Sequence, residues 1–299
     1  MFRLAHISDP HLGPLPKMDV RQLASKRVTG YVNWRISRHR NHASGTLPAI
    51  IDDLNNFDPA HIAVTGDLIN VGLESEVEGA RKWLEKLGNA NFVSVVPGNH
   101  DAYVPGAFAR CCNRWAPWMT GDDQSIRAER FPYLRIRENI ALIGVSSARA
   151  TAPFMATGYF RQKQALALSA LLDETGNAGL CRVIMIHHPP VHRAIAFHKR
   201  LVGIDRFQRT IKRHGAELVL HGHTHLPTLH YLDGNDGKVP VVGVSAAGQA
   251  PGGLKPPAQH NLIDISGTRG QWRISLKRRG LGGAAAGVSE LSNELLTGH

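Results

Sequence analysis

The segment HISDPHLG, residues 6–13, ends the first apolar run of the chain and places a carboxylate two positions before an imidazole, as Asp9 and His11. Side chains two positions apart in extended backbone point to the same side. If the run is a strand that continues past its sheet, Asp9 and His11 can hold one ligand together. Whether they belong to a larger site depends on what ends the other apolar runs.

The composition is that of a folded, basic protein. Of the 299 residues, 42% are hydrophobic and 20% are charged, which suits a large buried core. Lys and Arg number 35 against 24 Asp and Glu, and the formal charge of +11 favours anionic partners. The three cysteines form no CxxC pattern, which argues against a disulfide framework or a cysteine zinc site. With neither a membrane-length apolar run nor a signal-peptide pattern, we expect a cytoplasmic protein.

Apolar runs alternate with segments of helical periodicity over the first two thirds of the chain. The helical spacing of apolar residues predicts helices at residues 46–57, 75–88, 161–175 and 204–215. Short apolar runs predict further strands at residues 61–67, 91–101, 139–147, 181–190 and 216–225. This alternation is typical of an α/β fold with a largely parallel sheet.

The last third of the chain contains two hairpin patterns, residues 228–248 and 260–279, each with a turn that contains glycine. They predict a second, mostly antiparallel sheet, and we treat residues 1–279 as one domain. For residues 280–299 we expect a flexible C-terminal tail with a short helix over VSELSNELL.

Four later strand-like runs also end in groups that can bind metal. These are Gly66-Asp67, residues 98–101 (GNHD), His187-His188 and residues 222–225 (GHTH). Since the carboxyl ends of parallel strands open into one crevice, we expect these groups to converge with Asp9 and His11. The neighbouring glycines allow the close backbone approach that this requires.

Seven side chains are candidate ligands, and one carboxylate among them can serve two ions. The seven are Asp9, His11, Asp67, Asn99, His187, His223 and His225. With Asp67 shared, they fill four positions on each of two metals. Two divalent ions, two carboxylates and one hydroxide keep a net positive charge, which should attract a phosphate ester. Each motif alone is more often a turn or a hydrogen-bonded pair, but five in one order at strand ends favour a metal site.

The ordered motifs resemble those of the calcineurin-like metallophosphoesterases, whose signature is DxH, GD, GNH[DE], H and GHxH. The resemblance extends from residue 9 to residue 225. It implies a four-layer α/β sandwich of two mixed β-sheets flanked by helices, with a dinuclear centre at the strand ends. It assigns Asp9, His11, Asp67 and His225 to one metal, and Asp67, Asn99, His187 and His223 to the other. His187 is preferred as the ligand because it stands two residues before Pro189, which leaves His188 to face substrate.

The resemblance also implies a catalytic role for His100, which follows the ligand Asn99. We expect His100 to protonate the leaving group and Asp101 to orient its imidazole. Imidazole-rich ligation favours manganese, iron or zinc over magnesium or calcium alone. The implied activity is phosphoester hydrolysis, in which two metals activate a shared water and clamp the phosphate.

The wording of the motifs most resembles that of bacterial cyclic nucleotide and glycerophosphodiester phosphodiesterases. A small phosphodiester is therefore the first choice of substrate. A protein phosphatase is disfavoured, because GDLIN replaces the Asp-Arg-Gly pattern of that group and GNHD replaces GNHE.

A basic insertion at residues 17–42 supports a second interpretation. Residues 17–40 contain seven Lys or Arg and one Asp, with apolar residues at roughly helical spacing. This pattern is compatible with binding to an anionic lipid surface. The second choice of function is therefore hydrolysis of a nucleotide-activated lipid, as in a UDP-diacylglucosamine pyrophosphatase. Such an enzyme would lie at the inner face of the membrane. A helix packed on the domain with a solvated basic face is an equally good explanation.

Residues 102–137 form a second segment beside the predicted centre and contain Phe108, Trp115 and Trp118. They are candidates for a cap or substrate wall, with ordinary packing as the alternative. Arg149 is a further candidate for contact with the substrate phosphate.

Two non-enzymatic classes of protein are alternatives to an enzyme. A scaffold that has lost its chemistry predicts missing ligands, and none is missing. A nucleic-acid-binding protein fits the basic charge, but the sequence contains no recognition motif.

Overall fold

The computed structural model describes residues 1–23, 25–34, 45–123, 131–282 and 287–297. Within these ranges the strands are β1 (Phe2–Ile7), β2 (His61–Val64), β3 (Val93–Val95), β4 (Tyr133–Arg137), β5 (Ile140–Gly144), β6 (Gly158–Tyr159), β7 (Cys181–Met185), β8 (Leu201–Val202), β9 (Leu218–His221), β10 (Leu229–Asp233), β11 (Lys238–Gly243), β12 (Gln259–Ser266), β13 (Arg273–Leu281) and β14 (Val288–Thr297). The helices are α1 (Val20–Leu23), α2 (Arg27–Asn33), α3 (Thr46–Asn55), α4 (Glu74–Leu87), α5 (Ala107–Arg114), α6 (Ala116–Met119), α7 (Gln162–Asn177) and α8 (Ile204–His214), with a 3-10 turn at Phe197–Lys199.

Two six-stranded mixed sheets form the centre of the molecule. Their strand orders are β14-β13-β12-β1-β2-β3 and β10-β11-β9-β7-β5-β4. Apolar residues of both sheets, such as Leu4 and Val183, pack into one buried cluster between them. A second cluster joins α3 and α4 to the first sheet, and a third joins α7 and α8 to the second sheet. The predicted four-layer α/β sandwich of two mixed sheets flanked by helices is therefore confirmed.

The predicted division of strands between the sheets is wrong. β5, β7 and β9 do not continue the sheet of β1, β2 and β3 but form the centre of the second sheet. The two C-terminal hairpins then extend one sheet each, since β11 pairs with β9 and β12 pairs with β1. Alternating strands and helices predict parallel strands, but the pattern does not reveal which strand each one pairs with.

The C-terminal segment is also different from the prediction. Residues expected to form a short helix in a tail are instead strand β14, which pairs antiparallel with β13 along its length. Two irregularities in this pairing interrupt the alternation of side chains, so the leucines fall at spacings that imitate a helix. The linker expected before this strand lies mostly outside the described residues.

Three aromatic residues of segment 102–137, namely Phe108, Trp115 and Trp118, pack into the core and are not among the described residues that line the cavity. The indole of Trp115 donates a hydrogen bond to the Val77 carbonyl at 2.9 Å, and that of Trp118 donates to the Gly88 carbonyl at 2.8 Å. Phe108 packs against the same cluster. Of the two alternatives, ordinary packing is therefore the one observed for these three residues.

The basic insertion forms α1 and α2 as far as residue 34, and the rest of it lies outside the described residues. Arg27 ties α2 to the loop after β2 by donating to the carbonyl groups of Val71 and Gly72. In the described ranges, no helix is both long enough and apolar enough to cross a bilayer.

Candidate metal centre

The predicted motif loops meet at the carboxyl ends of β1, β2, β3, β7 and β9, which belong to both sheets. Within the first sheet, the Asp9 amide donates to the Gly66 carbonyl at 2.9 Å. Between the sheets, the His223 amide donates to Asp9 Oδ2 at 3.0 Å, and His187 Nδ1 donates to the Thr65 carbonyl at 2.6 Å. These bonds fix the loops against one another before any ligand is considered.

Two glycines make this approach possible. A Cβ on Gly98 would overlap Asp67 Oδ1, and a Cβ on Gly222 would overlap the Ser8 hydroxyl. The glycines of the GNHD and GHTH motifs are therefore needed for close packing of the loops, as the sequence predicted.

Strained backbone concentrates at the predicted ligands. Nine non-glycine residues in the described ranges have positive φ, and five of them are Asp9, His11, Asp67, His223 and His225. Such conformations cost about 1–3 kcal/mol each and persist where the surrounding structure enforces them. Here the bonds between loops supply that constraint.

One group of side chains gathers around Asp9. His225 Nε2 lies 3.1 Å from Asp9 Oδ1, and His11 Nε2 lies 3.8 Å both from that oxygen and from Asp67 Oδ2. Ligand atoms bonded to one ion at about 2.0–2.2 Å stand roughly 3–4 Å apart, so these separations suit a shared cation.

A second group gathers on the other side of Asp67. His187 Nε2 lies 3.4 Å from Asp67 Oδ2 and 3.2 Å from Asn99 Oδ1. A ligand atom of His223 lies within 4.8 Å of those of Asp67 and His187. The structure thus brings all seven predicted ligands together in two groups that share Asp67.

Backbone carbonyls orient three of the imidazoles. His187 Nδ1 donates to Thr65, His223 Nε2 donates to Lys199 at 2.9 Å, and His11 Nδ1 donates to Ile69 at 3.3 Å. Since a carbonyl only accepts, each bond determines which ring nitrogen carries a proton and leaves the other for a cation.

The two buried carboxylates of the site favour binding of cations. Burial alone would raise the pKa of Asp67, but the His187 and His100 imidazoles hold it well below its ordinary value. Burial likewise opposes protonation of His187, yet Asp67 raises the pKa of that ring to about 9. The buried Asp9 Oδ1 accepts no well-aligned hydrogen bond from the described residues. Two buried carboxylates among imidazoles and one amide fit two metal cations, whose binding would displace the protons.

Family comparison agrees with this geometry. The model of the calcineurin-like phosphoesterase family matches residues 2–227. The chain belongs to the calcineurin-like phosphoesterase family. The family assignment predicted from the motifs is therefore confirmed.

One relative and two solved structures illustrate the similarity of this chain to known proteins. A Synechococcus protein named probable cyclic nucleotide phosphodiesterase is 27% identical over 189 residues, which are 59% of this chain and 62% of that protein. The match thus spans less than two thirds of the relative. A dimetal phosphatase from Danio rerio has a TM-score of 0.62 at 14% identity, covering 100% of this chain and 99% of that one. Purple acid phosphatase PPD1 from yellow lupin has a TM-score of 0.60 at 12% identity, covering 98% and 53%. At these identities, the two structures show a shared fold.

His100 lies beside the candidate metal ligands. Its amide donates to Asp67 Oδ1 at 2.7 Å, and its Nδ1 donates to the Asn70 carbonyl at 2.5 Å. The Tyr103 ring stacks on the imidazole, with centroids 5.3 Å apart and planes 15° apart. Both rings line the cavity above the centre.

Asp101 has a different role from the predicted one. Its carboxylate accepts hydrogen bonds at 2.8–3.2 Å from the amides of Asp67, Leu68, Ile69 and Gly98. It therefore holds the loops after β2 and β3 together, whereas the His100 imidazole is oriented by Asn70. The prediction that Asp101 orients His100 is wrong, because the buried amides of these loops need an acceptor.

His188 and Arg149 do not have the predicted contact with substrate, because their side chains bind other residues of the protein. His188 does not face substrate, since it is fully buried with Nδ1 bonded to the Ser147 hydroxyl and Nε2 to the Ala156 carbonyl. Arg149 donates to Thr157 at 2.7 Å and is not among the described residues that line the cavity.

The cavity above the centre has a volume of about 790 Å³ and contains residues that the motifs did not identify. Among them are Lys26 and Thr29 of the basic insertion, Tyr103, Lys199 and the loop at 249–255. Only the positive charge of the insertion was visible in the sequence, and it pointed to a lipid surface rather than to the cavity.

Proposed function

We propose that this protein is a metal-dependent phosphodiesterase acting on a small phosphodiester, with cyclic nucleotides and glycerophosphodiesters as first candidates. The observation that carries the proposal is the pair of ligand groups sharing Asp67 beneath an open cavity. Family membership and the similarity to a protein named probable cyclic nucleotide phosphodiesterase support it.

Asp67 and the surrounding imidazoles would hold the cations, and Asn99 would add a ligand oxygen without adding negative charge. When bound, two divalent cations supply an activated water and neutralise the phosphoryl oxygens. Manganese, iron and zinc suit this donor set. The positive charge that remains attracts the phosphate of a diester.

His100 supplies the proton that a leaving alkoxide needs. Its bond to Asn70 makes Nδ1 a donor and leaves Nε2 as the atom that can give a proton to substrate. The stacked Tyr103 ring restricts rotation of the imidazole and so maintains this orientation.

Metal removal tests the proposal directly. We expect protein loaded with manganese to hydrolyse bis(p-nitrophenyl) phosphate, chelation to remove the activity, and added manganese to restore it. A panel of cyclic nucleotides, glycerophosphodiesters and phosphomonoesters should show preference for a diester. Hydrolysis that survives chelation would contradict the proposal, as would zero metal per chain in protein purified with manganese and iron supplied.

A second candidate is hydrolysis of a nucleotide-activated lipid at an anionic membrane surface. Phe154 is 82% exposed and Leu254 is fully exposed, and both line the cavity. On α1, Val20 is also 82% exposed beside the basic residues of the insertion. Exposed apolar side chains together with basic ones are typical of a surface that lies on anionic lipid.

Vesicle co-sedimentation tests this second candidate. We expect binding to phosphatidylglycerol-containing vesicles at low salt, and none to phosphatidylcholine alone. A double variant, Phe154→Asp with Leu254→Asp, should lose most of this binding. Leu166→Asp is a matched control, because Leu166 is 64% exposed on α7 and is not among the cavity-lining residues. Absence of wild-type binding to anionic vesicles would exclude the lipid surface.

A further inference from the structure

Lys26, between α1 and α2, brings a positive charge into the cavity above the metal centre. Its Nζ donates to the Thr151 hydroxyl at 2.6 Å and to the Met155 carbonyl at 3.0 Å. It also lies 4.6 Å from the centroid of the Tyr103 ring. Two hydrogen-bond acceptors and one aromatic ring thus hold the ammonium in place.

No carboxylate among the described residues lies within ion-pair distance of Lys26. By contrast, Arg182, which is buried, pairs with Glu217 at 2.6 Å. Burial lowers the pKa of Lys26 to about 8, which shows the cost of desolvating its charge. A partly buried cation that has neutral partners gains most from an anionic ligand.

The charge around Lys26 supports the same conclusion. Lys199 and Lys255 line the same cavity, and the acidic residue among the described lining residues is Asp67. Since Asp67 serves the metal ligand groups, the cavity remains positive beyond the metals. Its volume of about 790 Å³ leaves room for more than one phosphate group.

Tyr103 lies between Lys26 and His100. The same ring that lies near the ammonium stacks on His100, so one aromatic ring separates Lys26 from the proposed proton donor. An anion bound by Lys26 would therefore lie several ångströms from the phosphoryl group at the metals.

We propose that Lys26 binds a second anionic group of the substrate, separate from the phosphate that is hydrolysed. This inference rests on the proposed function and narrows its substrate class to phosphodiesters that carry a further phosphate or carboxylate. A simple cyclic nucleotide has no such group. Lys26 acts here as a binding residue, and its charge selects the substrate rather than performing the chemistry.

Calorimetric binding to the manganese-loaded protein tests this inference without requiring turnover. The probes are thymidine 5′-phosphate and thymidine 3′,5′-bisphosphate, which differ by one phosphate. We expect the wild type to prefer the bisphosphate, and Lys26→Met to reduce the ratio of the two affinities by about tenfold, as for loss of one hydrogen bond to a charged group. Lys26→Arg should retain part of the preference. Lys17→Met is the matched control, because Lys17 is an exposed lysine of the same insertion outside the cavity lining, and it should keep the wild-type ratio.

Two results would overturn the inference. One is a wild type without preference for the bisphosphate. The other is an unchanged ratio of affinities in Lys26→Met, and if both probes also bind more weakly, Lys26 lies at the hydrolysed phosphate. Failure of the proposed function would be distinct, since it would appear as absent hydrolysis of bis(p-nitrophenyl) phosphate by the metal-loaded wild type.

Discussion

Asp67→Asn will lose metal binding and hydrolysis together. Asp67 Oδ2 lies within 3.4 Å of His187 Nε2 and 3.8 Å of His11 Nε2, so this carboxylate is the one shared by both ligand groups. An amide removes the negative charge that balances two cations. We expect activity to fall on the order of 10³-fold or more, as when a group that stabilises charge in a transition state is removed.

Metal content per chain and hydrolysis rate should be measured on the same preparation. We expect Asp67→Asn to retain at most one ion, while the wild type holds two. Asp52→Asn provides a matched control, since Asp52 is an exposed carboxylate on α3 and should behave as the wild type. A variant that kept two ions and full activity would show that the centre is not built around Asp67.

His100→Ala will retain both metals but turn over slowly. The imidazole lies within ligand distance of His11 and Asp67, so a role as a metal ligand is the competing explanation. The bond from Nδ1 to Asn70 leaves Nε2 available for either role, and proton donation is the role that we propose. Loss of a positioned general acid costs about 10²–10⁴-fold in rate.

Leaving-group dependence separates the two roles of His100. p-Nitrophenolate leaves without a proton, whereas an alkoxide needs one, so the variant should lose more activity toward an alkyl phosphodiester than toward bis(p-nitrophenyl) phosphate. His192→Ala is the matched control, because its ring pairs with Asp205 on the surface. Loss of metal from His100→Ala, or equal loss for both substrates, would favour the ligand role.

The site can be predicted from the sequence because each motif contains its candidate ligands within a few adjacent residues. Asp9, Asp67 and His187 each follow an apolar run, and the ends of parallel strands converge without further information. Asp101 shows the limit of this reasoning. Its position after His100 suggests contact between the two side chains, but its carboxylate instead accepts hydrogen bonds from the buried amides of neighbouring loops.

Pairing across the chain is harder to predict than local structure. Apolar runs predict β5 and β7 as strands, but their sequences do not show that the two strands belong to a second sheet. The same limit applies to Lys26, which reaches the cavity only because α2 packs beside Tyr103. Tertiary contacts, rather than local periodicity, decide such placements.

Loops from both sheets form the centre, so bound cations would stabilise the interface between the sheets. A cation held by Asp9 from one sheet and His225 from the other would hold the two sheets together. A ligand present at about 100 times its dissociation constant stabilises the native state by about 2.7 kcal/mol. The supply of free metal in the cell would then govern how long the folded molecule persists as well as how fast it works.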